Sequence, residues 1–243
     1  MSKTLTILFI ALCGIAVAVP VRSMMTARQS IISASPSLPP LPDGVVAVEY
    51  LESDGASYIL TGIKNPNAGA IAYDVTFSYT NRTASETAVV FRIRNSSSYS
   101  NSGIDMRSGS RNWITIRSGG GNFGSGYVNQ FNRKIRVYCD ASGNYNIDDG
   151  AFVGVITPQG IFSYQSPVGL FGDFFNTNTP SIAGVRIYEG KLVKEGLCDF
   201  HFIPVRVGNV GYMYDLNNPK GGPNENGLYG NSGTGSFIIG PDL

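Results

Sequence analysis

Carboxylates come first, because two of them flanking a sugar bond are the machinery of a glycoside hydrolase, one as acid and one as nucleophile or base. The chain sets acids close together at Glu52-Ser53-Asp54 and at Asp148-Asp149-Gly150. Glu52 and Asp54 share a strand's period of two, but Gly55 and Ala56 follow with no third acid, so a solvated turn is expected. Asp148-Asp149-Gly150 also reads as a turn. Ca2+ takes clustered oxygen ligands in such loops, yet nothing else in the sequence calls for a metal or cofactor. His201 is the only histidine. That excludes His-rich metal sites and makes a Ser-His-Asp triad depend on one residue. It sits in the alternating run Phe200–Val205, where a structural or solvent-facing role is expected. No serine stands in a nucleophile-elbow context. These residues do not make a catalytic set, and a divergent glycoside hydrolase ranks behind the binding and structural readings.

A sugar-holding set is easier to assemble. Aromatic faces cover the C–H side of a pyranose, while Asn, Asp and Arg read its hydroxyls. Trp113, Phe123 and Tyr127 lie around a glycine-rich stretch, with Arg117 and Asn122 between them. Arg92 and Asp105 could face the same sheet surface. The stretch Arg117–Gly126 contains a literal G-x-G-x-x-G, but no helix opens after it to hold a pyrophosphate. A flexible loop is expected there. Cys139 and Cys198 form the disulfide candidate, closing a loop of about 60 residues worth roughly 4 kcal/mol if bonded. Two buried free thiols are the alternative.

The elements that must position these groups are strands. The chain has 243 residues, with 14% charged, 42% hydrophobic and 30 glycines, which suits one exported β domain with a full-sized core. A net charge of +1 argues against nucleic acid, which needs a concentrated basic surface. Arg92, Arg94, Arg107, Arg111 and Arg117 make the middle locally basic, and solvated strand faces are expected to account for them. Lys3 and the apolar run Leu5–Val19, ended by Pro20, read as a secretory signal with small residues at Ala16 and Ala18. Cys13 would leave with it. An uncleaved anchor is the alternative, and would be the chain's only tie to a membrane. Residues 1–19 are thus expected to be a signal peptide, 20–44 a Pro/Ser-rich linker, and 45–243 the folded domain. The expected address is secreted, cell surface or periplasmic. Asn81-Arg82-Thr83 and Asn95-Ser96-Ser97 are sequons that matter only in a eukaryotic host.

From Val45 onward the hydrophobic period is two. Ile71, Tyr73, Val75, Phe77 and Tyr79 alternate with smaller or polar residues. In Ala88–Arg94, Val89, Phe91 and Ile93 oppose Arg92 and Arg94. Further strands are expected at Tyr58–Gly62, Trp113–Arg117, Lys134–Cys139, Ala151–Val155, Val168–Phe171, Ala183–Tyr188, Phe200–Val205, Val210–Tyr214 and Phe237–Ile239. Asp140-Ala141-Ser142-Gly143 and Glu189-Gly190 carry hairpin chemistry. Many short strands between turn signals mean an all-β sandwich or barrel.

The two ends of this domain carry a family likeness. Near the start stand Tyr50-Leu51-Glu52-Ser53 and Ser57–Ile63. Near the end stand Gly184–Val193, Phe202-Ile203-Pro204-Val205-Arg206, Gly211-Tyr212-Met213-Tyr214-Asp215, Tyr229–Gly235 and Gly240-Pro241. These resemble the concanavalin A-like, laminin-G-like jelly-roll modules of bacterial surface and phage structural proteins, over roughly residues 48–243. The resemblance implies a two-sheet antiparallel jelly roll whose chain ends pair as neighbouring strands. Leu60 departs from it, standing where the family commonly has Asp before Thr-Gly. Fold does not fix function. The expectation is an exported binding module for an extracellular glycan or surface protein. The alternative is a structural or adhesion subunit of a cell-surface or virion assembly.

Overall fold

The computed structural model describes residues 38–64, 71–80, 88–94, 100–106, 113–118, 121–128, 131–157, 167–173, 179–180, 184–194, 198–219 and 226–243. The signal segment, most of the linker and both sequons lie outside them. The compact unit is Pro40–Leu243.

Its strands begin with β1 (Val45–Ala47), β2 (Leu51–Glu52), β3 (Ile59–Lys64), β4 (Ala72–Tyr79) and β5 (Ala88–Arg94). Next come β6 (Ser100–Met106), β7 (Trp113–Ser118), β8 (Gly121–Val128), β9 (Ile135–Cys139) and β10 (Asn144–Ile147). After a 3-10 turn at Asp148–Gly150 follow β11 (Phe152–Val155), β12 (Pro167–Leu170), β13 (Gly172–Asp173) and β14 (Thr179–Pro180). The last five are β15 (Val185–Lys194), β16 (Cys198–Val207), β17 (Val210–Asp215), β18 (Leu228–Tyr229) and β19 (Ile238–Ile239). Among the described residues there is no α-helix, so none is long and apolar enough to cross a membrane.

Apart from β13 and β14, which pair with each other, these strands make a two-sheet antiparallel sandwich. The large sheet runs β11-β10-β9-β4-β15-β16-β17-β18, with β1, β2 and β19 joined at its side. The second sheet has six strands in the order β3-β12-β5-β6-β7-β8. Between them lies the main core. Tyr73, Val75, Phe77 and Tyr79 face it from β4, and Phe91, Ile93, Ile104, Met106, Ile114 and Ile116 face it from β5, β6 and β7. Each fully buried large side chain contributes about 1.5–3 kcal/mol, and alternation sends the residues between them to the opposite face.

Three expectations change. The glycine-rich stretch is not a loop but the strand β8, paired with β7. A ladder needs only backbone N–H and C=O groups, which glycine supplies. Glu189-Gly190 is not a hairpin either. The register shifts between Ile187 and Glu189, so a bulge absorbs a residue and β15 continues past Gly190. A similar shift between Val89 and Phe91 puts Val89 opposite Asp105, away from the Phe91–Ile93 side. The Asp140–Gly143 hairpin, by contrast, joins β9 to β10 as expected, with Gly143 at φ +87° and Asp140 Oδ1 accepting from the Ser142 and Asn144 N–H groups.

The two ends of the compact unit meet in the large sheet. β19 pairs β2, Arg206 holds Asp242 at 2.6 and 2.7 Å, and β1 pairs β16. A second, smaller cluster forms where Leu41 and Val45 pack on Ile203, Val205, Tyr214 and Leu228.

Candidate functional site

The register of the six-stranded sheet sets Arg92, Asp105, Trp113, Arg117 and Asn122 on neighbouring strands, while the side chains of Asn122, Phe123 and Tyr127 lie outside the described residues. Gly169 on β12 stands opposite Arg92 on β5, Arg92 opposite Gly103 on β6, Gly103 opposite Arg117 on β7, and Arg117 opposite Asn122 on β8. The next row runs Val89, Asp105, Thr115 and Gly124. Phe91, Ile104 and Ile116 face the core, so Arg92, Asp105, Thr115, Arg117 and Trp113 point to the outer face. Trp113 stands opposite Val128, one residue beyond Tyr127.

On that face two arginines converge on one carboxylate. Arg117 Nε donates to Asp105 Oδ2 at 2.9 Å, and Arg92 Nη2 donates to the same oxygen. The solvated strand face expected for these arginines is not found: Arg92 is 8% exposed, Arg117 6% and Asp105 0%. Gly103 makes the convergence sterically feasible. It lies between the two arginines in register, and a Cβ there would meet the Phe91 carbonyl oxygen at 2.7 Å and Arg92 Cγ at 3.4 Å. Burial pushes the Asp105 carboxyl up, but the charges of Arg92 and Arg117 outweigh it and hold it below the ordinary carboxylate range. Asp105 is therefore an anionic acceptor and not a proton donor at neutral pH.

Sequence reasoning missed Gly103, Gly169 and Thr115 in this arrangement. β6, Ser100–Met106, has only Ile104 and Met106 as apolar signal. The Ile104-Asp105-Met106 alternation was the available clue.

The other candidates resolve into structural roles. Glu52 is not a solvated turn residue: it lies in β2, is buried, and accepts from Arg186 Nε at 2.6 Å and Thr80 Oγ1 at 3.2 Å. Asp54 is a turn residue, accepting from the N–H groups of Ala56, Ser57 and Ser236. Burial raises its carboxyl, and those bonds more than offset the effect, leaving it low. Asp148 pairs Arg133, Asp149 lies 3.6 Å from Arg136, and both acids sit at φ near +55° in the 3-10 turn. Among the described residues no group of three or more metal-ligating side chains occurs. His201 Nε2 meets Glu189 Oε1 at 2.6 Å on the outer face of the large sheet, and this contact is the main cause holding the Glu189 carboxyl low.

The disulfide is absent: Cys139 and Cys198 are free. Cys139 lies on β9 and Cys198 on β16, with β4 and β15 between them. Three strand spacings amount to about 14 Å, beyond the reach of a disulfide. Burial pushes each thiol up to about 11.

The terminal motif proves to be a clasp. Asn231 Oδ1 accepts from the Tyr58 and Gly233 N–H groups, its Nδ2 donates to the Gly235 carbonyl at 2.6 Å, and the Ser232 N–H donates to the Tyr58 carbonyl. A Cβ on Gly233 would strike the Ala56 carbonyl and come within 2.9 Å of the Tyr58 ring. This contact sews the Asp54–Leu60 segment to the end of the chain.

Fold and site together define an all-β, two-sheet antiparallel sandwich with a buried arginine–carboxylate cluster on one outer face. No protein-family model matches the chain, and no curated protein matches it significantly.

Proposed function

We propose that this chain is an exported, non-catalytic binding module of the concanavalin A-like jelly-roll type, whose outer six-stranded face recognises extracellular carbohydrate. The observation that carries the reading is the Arg92–Asp105–Arg117 cluster, held on the side of the sheet away from the core. Replacing a buried ion triad by apolar residues is often neutral or stabilising, so stability alone is a poor reason to keep one there. Held by its own ion pairs, the cluster makes a rigid floor beside the half-buried Trp113. Trp113 on the same face offers an aromatic surface for a sugar's C–H side. The six strands hold one acidic residue, Asp105, where a glycosidase needs two carboxylates. The apolar run Leu5–Val19 after Lys3 supports export, to the periplasm, cell surface or medium.

The test is binding of Pro40–Leu243 to an immobilised glycan panel, with released reducing ends assayed alongside. Saturable binding that Trp113→Ala or Tyr127→Ala abolishes supports the reading. Binding to no glycan overturns it.

One observation favours a second reading, a structural or adhesion subunit. The edge strand β11 carries Val153 and Val155 on its surface, 56% and 65% exposed. Self-association lost in Val153→Lys would favour it.

A further inference from the structure

Resting on the second of those readings, we infer that β11 is a self-association edge: a second copy of this chain pairs its own β11 antiparallel to it and continues the large sheet through both molecules. Among the described residues β11 pairs with β10 alone and ends the order of the large sheet. Edge strands are commonly blunted by lysine, proline or inward charge. Phe152-Val153-Gly154-Val155 carries none of these.

The ladder fixes which backbone groups point outward. In an antiparallel pair, bonded and non-bonded residue pairs alternate. The Ile156 N–H donates to the Gly143 carbonyl at 2.8 Å, which sets the phase. Two residues further along in each step, Tyr145–Gly154 and Ile147–Phe152 are then the bonded pairs, and Asn146–Val153 and Asn144–Val155 are not. The other side of β10 gives the same phase. There the Asp140 N–H donates to the Asn144 carbonyl at 2.9 Å, so Asn144 and Asn146 bond towards β9. Val153 and Val155 thus turn their N–H and C=O groups away from β10. Gly154 and Phe152 stand opposite the buried Tyr145 and Ile147, so the two valines project from the outer face, where they are 56% and 65% exposed.

The segment also reads the same in both directions. Val153-Gly154-Val155 is symmetric about Gly154, and antiparallel pairing about a two-fold axis sets each strand against its own reverse. A foreign strand has no use for that symmetry. With the axis at Gly154, Val153 of each copy stands opposite Val155 of the other, and each such pair exchanges both N–H···O bonds through its outward groups. The valines meet on one face as β-branched cross-strand pairs. Gly154 puts no side chain at the axis, where opposed Cα atoms approach to about 4.5 Å. Asp148 and Asp149 of one copy lie at the opposite end of the paired segment from those of the other, so like charges do not confront each other.

The experiment is analytical ultracentrifugation of Pro40–Leu243, which omits the apolar run Leu5–Val19, from about 1 μM to about 1 mM. A pairing this short buries less than a standard interface, so a dimer that forms with rising concentration is expected in that range. Val153→Lys and Val155→Glu should each weaken it at least about tenfold. An equimolar mixture of the two variants should restore it, because the register sets the two introduced charges opposite each other. Amide exchange at Val153 and Val155 of the native protein should slow as concentration rises, and this decides if a variant does not fold. A dimer indifferent to both substitutions overturns the β11 assignment and leaves a structural role through another surface standing. Dimers broken by each substitution but not restored in the mixture overturn the antiparallel register. A monomer throughout, with unchanged exchange at Val153 and Val155, overturns the inference and the structural reading together. The glycan panel tests the carbohydrate reading separately.

Discussion

Asp105 and Asp215 are both buried carboxylates, and their surroundings push them in opposite directions. Asp105 faces two guanidinium groups that hold its carboxyl low against burial. Its folded value lies below the unfolded value of about 3.9, so the stability it contributes is present above that pH and is lost as pH falls through the folded value. Asp105→Asn removes the carboxylate that two buried cations share and should cost about 3–5 kcal/mol at pH 7. Chemical denaturation across pH should also show a flatter acid limb than the native protein. An unchanged acid limb would remove Asp105 from the electrostatic account. At Asp215 burial dominates, and the N–H donors of His201 and Asn217 on Oδ1, at 3.0 and 3.1 Å, offset it only in part, so the carboxyl is raised. Such a group stabilises the fold below the unfolded value and loses that contribution as pH rises through the folded value. Asp215→Asn keeps the Oδ1 acceptor without the buried charge. Its Tm should exceed that of the native protein at pH 7 and match it near pH 3. A lower Tm at pH 7 would show that the anion is needed.

At the level of elements, β15 shows how the same residues can mean two things. Glu189-Gly190 has the composition of a turn, and it is a bulge followed by an inward glycine because β4 and β16 already flank the strand. Gly190 borders a small apolar gap lined by Val75, Phe91, Leu170, Ile187, Phe202 and Met213. A Cβ there would sit 3.8 Å from the nearest atom, a Val75 methyl. Gly190→Ala should therefore stabilise by about 0.5–1 kcal/mol, through lower chain entropy when unfolded and added packing, and a thermal melt would show it. A drop in Tm would mean the gap is tighter than the distances imply. The strands that were legible in the sequence, Ala72–Tyr79 and Ala88–Arg94 above all, put large apolar residues at period two. β8 and the first half of β6, Ser100–Gly103, were illegible because Ser, Asn and Gly carry no such signal, and their pairing rests on backbone groups that every sequence has. The site divides the same way. Arg92, Asp105, Trp113 and Arg117 could be placed on one face by alternation, but alternation gives a side chain's direction and not its burial.

The unit Pro40–Leu243 is closed by contacts between its two ends, and this makes its first residues part of the fold. A boundary drawn at Val45 from the end of the proline-rich stretch falls inside the compact unit, which starts at Pro40. Proline density reads as linker because it removes backbone donors, yet Pro42 uses its carbonyl to accept the Val45 N–H at 3.0 Å, turning the chain at Gly44. That turn lays Leu41 and Val45 over Ile203, Val205, Tyr214 and Leu228 on the outer side of the large sheet. β1 then pairs β16 through Val45, Val46 and Ala47. A chain beginning at Val45 keeps the pairing but uncovers the cluster that Leu41 shields. It should lose about 1–2 kcal/mol relative to one beginning at Pro40, measured by denaturant midpoint at constant m-value. Leu41→Ala in the longer chain should reproduce most of that loss, because the apolar contact and not the length is responsible. Equal midpoints for all three proteins would place residues 40–44 outside the cooperative unit and return them to the linker.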